Sequence, residues 1–410
     1  MPNYIALAVP FFFALIGVEL WAARRQGRAV YRLNDSVVDL STGICQQVSL
    51  IFMKAGLFAA YAVVYEKWRV LELSAASPWT WVLAIVLVDL TFYWWHRLSH
   101  EVNFLWAAHV VHHSSEEYNL SVALRQSVLT PWTIVPFHAP LALLGVPPVV
   151  MLAVDSFNTL YQFWIHTQLI GKLGFIEKWL NTPALHRVHH AINPRYLDKN
   201  YGGTFIVWDR LFGTYRQETD APVYGLVKSL QSFDPFRAQF HYWGDLWKRA
   251  SITPRIIDKL RVFLKGPPYT PPGMEPFAPA PEVAPASFHK YDPPLSAPLG
   301  RYVLVQVALV VAGATTLMFF ETTLPPLQLA AGAALVYLAM VAWGGFLEGR
   351  RWALPVELAR LSLVAALAVH FSWRGPLPHL AGVAAVASSM IMAAWLLRAA
   401  PGPAAVSSPS

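Results

Sequence analysis

Long apolar runs alternate with short polar segments along most of this chain. Crossing the hydrocarbon core of a bilayer takes about 20 mostly apolar residues in a helix. Six runs are close to that length and carry few charges, so each predicts a membrane-spanning helix. They are Tyr4–Ala22, Leu40–Val64, Trp79–Trp95, Tyr302–Phe320, Leu327–Phe346 and Ala381–Leu397.

Three further apolar runs give a weaker signal. Leu129–Gly145 and Val149–Ile165 are separated by a Val-Pro-Pro break, which predicts a helical hairpin. Leu354–Phe371 is interrupted by Glu357 and Arg360, which are costly in the centre of a bilayer. The whole pattern predicts an all-α, polytopic membrane bundle with seven or eight spans.

The composition agrees with this class of protein. Hydrophobic residues make up 55% of the 410 residues and charged residues only 13%, against about 25% charged in soluble domains. The first apolar run has no basic leader before it, so we expect a retained anchor and not a cleaved signal peptide. The basic cluster that follows it, Arg24 to Arg32, should stay cytoplasmic under the positive-inside rule.

Counting spans from that cluster places the other basic segments on the same, cytoplasmic side. These segments are Arg97, the region from Lys172 to Arg261, and Arg350–Arg351. Cytoplasmic loops therefore explain the net charge of +7, and no basic-aromatic pattern indicates nucleic acid as a partner. The single cysteine, Cys45, excludes a disulfide framework or a thiolate metal site within one chain.

Shifts in composition predict five regions. Residues 1–77 would form N-terminal transmembrane helices, 78–250 a catalytic domain, 251–300 a proline-rich linker, 301–400 a C-terminal transmembrane bundle, and 401–410 a disordered tail.

Clustered histidines are the strongest chemical signal. Eight of the 14 histidines fall into three groups: His96 and His100; His109, His112 and His113; His186, His189 and His190. Residues three and four apart share one face of a helix, so each group should aim two or three imidazoles at one point. Ionisable residues beside membrane spans are usually kept for function, and eight imidazoles suit two metal ions. The remaining histidines, except His166, are expected to be structural: His138, His241, His289, His370 and His379.

The choice of metal follows from the ligands. An all-imidazole site suits iron, copper, zinc or nickel. Zinc hydrolases use only three protein ligands, so eight histidines favour a redox pair of irons that activates dioxygen. A position beside membrane spans predicts a lipid substrate within the membrane.

Polar residues in two predicted spans extend the expected site. Asp89 precedes His96 by seven residues and could orient a ligand imidazole. A second stripe, at spacings of three and four, should face the active site: Asp155, Asn158, Gln162 and His166. We expect His166 to be a ninth ligand, and Asp155→Ala to impair turnover while the protein level survives.

The eight clustered histidines resemble the signature of the fatty acid hydroxylase and sterol desaturase superfamily, an HxxxH followed by two HxxHH groups. Between Pro78 and Tyr242 the sequence is most similar to the alkylglycerol monooxygenases of that superfamily. The stretches that carry this similarity are His100–His109, His112–Ser121, Ala123–Ser127, Gln162–Thr167, Asn181–Pro183, Asp198–Gly202 and Trp208–Tyr215.

This resemblance implies a monooxygenase that hydroxylates the carbon next to the ether oxygen of an alkylglycerol lipid, which gives a fatty aldehyde. It also implies dioxygen, two iron ions, and tetrahydrobiopterin or another external electron donor. The glutamate that follows HxxxH, here Glu101, is linked to pterin use in that family. Arg125 is expected to contact a headgroup or cofactor, or to form a salt bridge.

Two alternatives remain open. The same site could hydroxylate or desaturate sterols, fatty acyl chains or carotenoids. A membrane metal transporter is the second, although the histidine groups lie near span ends on one face and not along a pathway through the bilayer. The Ala-, Pro- and Arg-rich composition favours a bacterial cytoplasmic membrane over an endoplasmic reticulum location; the oligomeric state cannot be read from the sequence.

Overall fold

The computed structural model describes residues 4–276, 278–374 and 379–399. The predicted tail at 401–410 lies outside them. Fourteen α-helices occur in the described part of the chain: α1 Tyr4–Arg25, α2 Leu33–Trp68, α3 Pro78–Glu101, α4 Asn103–His113, α5 Thr130–Leu144, α6 Pro148–Trp164, α7 Pro183–His190, α8 Val207–Phe212, α9 Pro235–Ile252, α10 Ile256–Leu264, α11 Ala297–Phe320, α12 Pro326–Leu347, α13 Ala353–Arg374 and α14 His379–Ala399.

The all-α prediction is confirmed. Over the same residues the only β pairing consists of two isolated bridges. Seven helices are long and apolar enough to cross a membrane: α1, α2, α3, α11, α12, α13 and α14. This number lies within the predicted seven or eight, and it identifies an integral, multi-pass membrane protein.

The predicted hairpin forms as α5 and α6, but both helices are shorter than a full span. They contain 15 and 17 residues, against the roughly 20 that a crossing needs. Gly145 ends α5 with φ of 93°, a left-handed conformation that favours glycine. A Cβ at this position would also collide with the backbone carbonyl of Leu71. The turn therefore packs closely against the segment that follows α2.

The chain divides into two units. The first contains the described residues up to Gln231 together with Arg237–Tyr291, and it carries every predicted metal ligand. The second contains Ser232–Phe236 and the described residues from Asp292 onward. Helix α10 lies inside the range predicted as linker, so the segment without α-helix begins only after Leu264 and ends before Ala297.

A buried polar network explains the two charges in α13. Arg360 Nε donates to a Glu357 carboxylate oxygen at 2.7 Å, and Arg360 Nη2 donates to Gln306 Oε1 at 2.7 Å. The Tyr302 hydroxyl donates to the same carboxylate at 2.5 Å. Pairing and hydrogen bonding lower the cost of charge inside an apolar bundle. The sequence run that these charges interrupted therefore still forms a helix long enough to span a membrane.

Candidate metal centre

Nine buried histidines form two groups, in each of which the potential ligand nitrogens lie within 4.8 Å of one another. We call these groups site A and site B. Site A contains His96, His100, His109, His113 and His189. Site B contains His112, His166, His186 and His190. Every predicted ligand lies in one of the two sites, including His166, which follows the end of α6.

Helical spacing decides which imidazoles share a site. Residues four apart on a helix lie about 40° apart around its axis, whereas residues three apart lie about 60° apart on the other side. His109 and His113 of α4 share site A, while His112 of the same helix points to site B. The sequence analysis expected each HxxHH group to converge on one point. The structure corrects this expectation, because each HxxHH helix serves both sites.

Backbone carbonyls fix two imidazoles of site A. His96 Nδ1 lies 2.7 Å from the carbonyl oxygen of Tyr201, and His189 Nδ1 lies 2.9 Å from that of Lys199. A carbonyl oxygen can only accept, so each Nδ1 must carry the proton and donate it. The Nε2 lone pair of each ring is then free for a metal ion. Hydrogen bonds of this kind commonly set the tautomer and orientation of ligand histidines.

Site B has the same arrangement with different partners. His112 Nδ1 donates to the carbonyl of Arg125 at 2.9 Å, and His166 Nδ1 donates to the carbonyl of Gln162 at 2.7 Å. The Nε2 atoms of these two rings are only 3.2 Å apart, although both carry a lone pair. Two facing lone pairs repel each other unless a cation lies between them. The donor set of site B therefore fits a bound metal ion.

The distances between ring nitrogens agree with shared ions. Nitrogens bound at about 2.1 Å and at right angles around one ion would lie about 3.0 Å apart. In site A, His109 Nε2 lies 3.0 Å from His96 Nε2 and 3.1 Å from His113 Nε2. The Nε2 atoms of His100 and His190 are buried without a hydrogen-bond partner. Buried polar atoms are rarely left unpaired, so these atoms also fit a metal-binding role.

Burial keeps these imidazoles in the form that binds metal. Desolvation lowers the pKa of His112 from its ordinary value to about 4. The same cause lowers the pKa of the other ligands outside the candidate spans: His109, His113, His166, His186, His189 and His190. Neutral imidazole is the ligand species, so a metal ion does not have to displace protons at neutral pH.

A strained loop supports site A. Asp198 and Asn200 both have positive φ, at 58° and 57°, which costs free energy for residues other than glycine. The Asn200 side chain is fully buried and donates to the carbonyls of Leu185 and Arg216 at 2.9 and 2.7 Å. The loop thereby presents two carbonyls toward site A. The sequence analysis gave Asn200 no role; the DKN run before Tyr201-Gly202 was the available signal, since Asp and Asn tolerate this conformation best.

Arg125 is a buried positioning residue. Its guanidinium donates to Asp39 at 3.0 Å, to the carbonyl of Val111 at 2.7 Å and to Ser114 Oγ at 2.7 Å. Its own carbonyl accepts from His112. Because the side chain is only 3% exposed and these partners occupy it, Arg125 holds the end of α4 in place. Of the two predicted roles for Arg125, the structure shows the salt bridge, and this salt bridge is buried.

The side chains of Asp89 and Asn158 hydrogen-bond to the segment that contains Thr204, and not to an imidazole. Asp89 accepts from the backbone N–H of Thr204 at 2.6 Å and from Trp208 Nε1 at 2.8 Å. Asn158 Oδ1 accepts from Thr204 Oγ1 at 2.7 Å. A Cβ on Gly203 would approach both side chains at 2.9 to 3.0 Å, so this packing requires glycine. The expectation that Asp89 orients a ligand imidazole directly is therefore wrong, because its carboxylate is occupied by the segment after Tyr201.

Glu101 is the last residue of α3, directly after His100. Its carboxylate accepts from Arg97 Nε at 2.9 Å, and its side chain is 41% exposed. An exposed carboxylate next to a ligand histidine is open to a water-soluble molecule. The pterin role implied by the resemblance stays a prediction.

The last two predicted residues lie along α6. Gln162 orients His166 through its backbone carbonyl, while its side-chain amide donates to the carbonyl of Asn158 at 3.3 Å. Asp155 lies farther along the helix, with a carboxylate oxygen 3.6 Å from His138 Nε2.

We expect Asp155→Ala to lower turnover while protein yield and metal content stay at the parent level. The expectation follows from the stripe on α6, which ends at the ligand His166. Steady-state kinetics in detergent, with Ser156→Ala as the neighbouring control, check it. Unchanged kinetics would place Asp155 outside the reactive pocket.

Removal of metal should destabilise the folded chain. A ligand present at about 1,000 times its dissociation constant stabilises the native state by about 4 kcal/mol, and the converging lone pairs of site B would then face each other without a cation. Thermal unfolding after dialysis against a chelator measures the effect, and adding metal back should restore the midpoint. An unchanged midpoint, despite proven loss of metal, would contradict the expected coupling of metal to folding.

Comparisons with known proteins agree with this geometry. Residues 81–214 match the fatty acid hydroxylase family. The chain is 39% identical over 372 residues to the alkylglycerol monooxygenase of Danio rerio, covering 90% of this chain and 82% of the relative. It is 37% identical over 410 residues to that of Homo sapiens, covering 97% and 90%. A shorter similarity, 30% over 152 residues, covers 36% of this chain and 46% of the ornithine lipid hydroxylase OlsE of Rhizobium tropici. No solved structure matches the chain significantly.

Proposed function

Because the chain belongs to the alkylglycerol monooxygenase family, we propose that it hydroxylates the ether-bearing carbon of an alkylglycerol lipid with dioxygen and two iron ions. The match to the fatty acid hydroxylase family supports a lipid hydroxylase. The pair of all-imidazole sites, with five and four histidines, is the observation that supports two iron ions. Two adjacent sites without a carboxylate or thiolate ligand suit a redox pair better than one hydrolytic ion.

The proposed reaction balances with an external two-electron donor. The lipid ether, dioxygen, two electrons and two protons give water and a lipid that is hydroxylated on the carbon beside the ether oxygen. That product is a hemiacetal, so it breaks its carbon–oxygen bond to give a fatty aldehyde and glycerol. Tetrahydrobiopterin would supply the two electrons.

The chain's own residues hold and orient the reactive centre. When bound, the iron pair would supply the activation of dioxygen. The carbonyls of Tyr201 and Lys199 hold two rings of site A, and those of Arg125 and Gln162 hold two rings of site B. All nine rings are buried, so the site excludes bulk water from the reaction.

We propose that the reductant and the lipid reach the metal centre from different sides. Glu101 is exposed at the end of α3, where a water-soluble reductant could reach it, and we propose that it contacts the pterin. The lipid would enter laterally from the membrane, because α3 carries site A ligands and is itself apolar enough to span it. We further propose that this end of α3 faces the cytoplasm, since counting spans from α1 puts it on the same side as the basic cluster between α1 and α2, which the positive-inside rule favours as cytoplasmic.

The same metal pair on another lipid is the second candidate. The similarity to an ornithine lipid hydroxylase covers only 36% of the chain. A shared catalytic module of that size supports hydroxylation in general and leaves the lipid headgroup to be determined by experiment.

The proposal is tested with purified, iron-loaded protein, an alkylglycerol, dioxygen and tetrahydrobiopterin, with fatty aldehyde measured by mass spectrometry. We expect aldehyde only when pterin is present and the metal ligands are intact. Glu101→Gln should raise the KM for pterin more than that for the lipid, with Glu282→Gln in the linker as the control. Absence of aldehyde from fully metallated protein would reject the ether-lipid reaction, and a screen of fatty acyl and sterol substrates would then test the second candidate.

A further inference from the structure

Helix α10 buries one face and exposes another that is apolar. Asp258 and Val262 are 2% and 1% exposed, and Val262 packs against Ala107 of α4 and Leu246 of α9. The opposite stripe is open, with exposed fractions from 51% to 73%. It consists of Ile256, Ile257, Leu260 and Leu264. A solvent-exposed surface helix would place polar residues there, so this stripe requires an apolar environment outside the described residues.

Basic residues border the stripe. Lys259 and Arg261 each lie about 100° around the helix from Leu260, one on either side. Arg255 precedes the helix, Lys265 follows it, and both are exposed. Long basic side chains beside an apolar stripe are typical of helices that lie in the surface of an anionic membrane, because the aliphatic stems can sink while the charges reach lipid headgroups.

The position of α10 fits that surface. Asn103, two residues beyond the end of α3, donates its backbone N–H to the carbonyl of Lys265 at 2.8 Å. Its side-chain amide donates to the carbonyls of Val262 at 2.8 Å and Gly266 at 3.2 Å. Since α3 is a candidate span, these bonds fasten α10 at the depth where the span ends.

An exposed tryptophan next to α10 is consistent with the same depth. Trp247 of α9 is 66% exposed, and its ring packs edge-on against Phe263 of α10 with centroids 5.2 Å apart. Tryptophan is enriched where membrane proteins meet the headgroup region.

From these observations we propose that α10 lies in the interfacial layer of an anionic bilayer, on the side of the metal sites, with Leu260 at the centre of its inserted stripe. A second copy of the chain fits this surface less well. Four apolar side chains form a small contact compared with a stable dimer interface, and a twofold pairing would bring Lys259 and Arg261 toward their own counterparts. The proposal does not depend on which lipid the enzyme oxidises.

A single fluorescent label tests the placement. The only cysteine, Cys45, is buried in α2 and is first replaced by alanine. Leu260→Cys then carries an environment-sensitive fluorophore, with Glu282→Cys in the exposed linker as the control, and equal metal content verifies that both labelled chains are folded. The proteins are placed singly into nanodiscs of phosphatidylcholine and phosphatidylglycerol.

The Leu260 label should be blue-shifted and quenched by doxyl lipids, but protected from iodide in the water. The Glu282 label should show no blue shift, should be quenched by iodide and should not be quenched by doxyl lipids. Iodide quenching at Leu260 equal to the control would place α10 in water and overturn the proposal. Protection from both quenchers would indicate a protein partner and would overturn it as well.

The charge requirement has its own test. Lys259→Gln with Lys265→Gln should remove the extra blue shift that phosphatidylglycerol gives the Leu260 label, because each basic residue near an anionic surface adds to its attraction. The pair leaves the Arg261–Asp258 salt bridge intact, and Lys172→Gln with Lys228→Gln, which removes two exposed charges away from α10, serves as the matched charge control. If the response to phosphatidylglycerol is the same in the pair as in the parent, the anionic-surface part of the proposal is wrong.

Discussion

Replacing His112 by alanine should abolish fatty aldehyde formation and reduce bound iron from two ions per chain toward one. His112 belongs to site B, and its ring nitrogen lies 3.2 Å from that of His166. Site B has four histidines, so losing one leaves three, whereas the five ligands of site A are untouched. We therefore expect site A to retain its ion, and the activity, which needs both, to be lost.

Metal analysis and Mössbauer spectroscopy of the iron-57 protein measure this outcome. His241→Ala is the matched control, because His241 lies in neither site and its Nδ1 hydrogen-bonds to the carbonyls of Arg237 and Ala238 in its own helix. His100→Ala is the reciprocal variant, since it removes a site A ligand. Full activity with two bound ions in the His112 variant would refute the shared centre, and loss of both ions would show that the two sites bind metal as one unit.

The metal centre could largely be predicted because helical spacing is a local property. Eight ligands were visible as three short groups, and His166 was visible as the end of a polar stripe on α6. The sequence analysis did not predict how the histidines divide between site A and site B, although the same helical geometry determines this division. The i, i+4 pair of each HxxHH helix shares one site, and the third histidine turns to the other. The prediction treated three neighbours as one face, while only the pair is close enough in angle.

Residues that act over long sequence distances were harder to predict. Asp89 was placed on the right stripe of α3, but its partners are Thr204 and Trp208, more than a hundred residues later. Nothing in the local pattern of α3 shows which loop will pack against it. The role of Asn200 was not predicted for the same reason, since it depends on the two carbonyls that the loop of Asn200 presents to site A. The apolar pattern located all seven candidate spans, yet it gave no sign of α9, an 18-residue helix.

Replacing Asp39 by alanine should destabilise the protein by about 3–5 kcal/mol, because it leaves the buried guanidinium of Arg125 without its counter-ion. The two side chains are 0% and 3% exposed and lie 3.0 Å apart. Midpoints of thermal unfolding should fall by roughly 10 °C. Asp220→Ala is the control: it breaks the exposed pair with Arg195, and exposed pairs contribute little.

The double variant Asp39→Ala/Arg125→Met separates charge from position. Removing both partners should recover much of the stability, since no isolated charge then remains buried. It should not recover iron in site B to the same degree, because the guanidinium also holds the carbonyl of Val111 and Ser114 at the end of α4, next to His112. The double variant would thus recover stability more fully than it recovers iron in site B. If both recovered together, Arg125 would act only as the partner of a buried charge, and the positioning of His112 would rest on its backbone carbonyl alone.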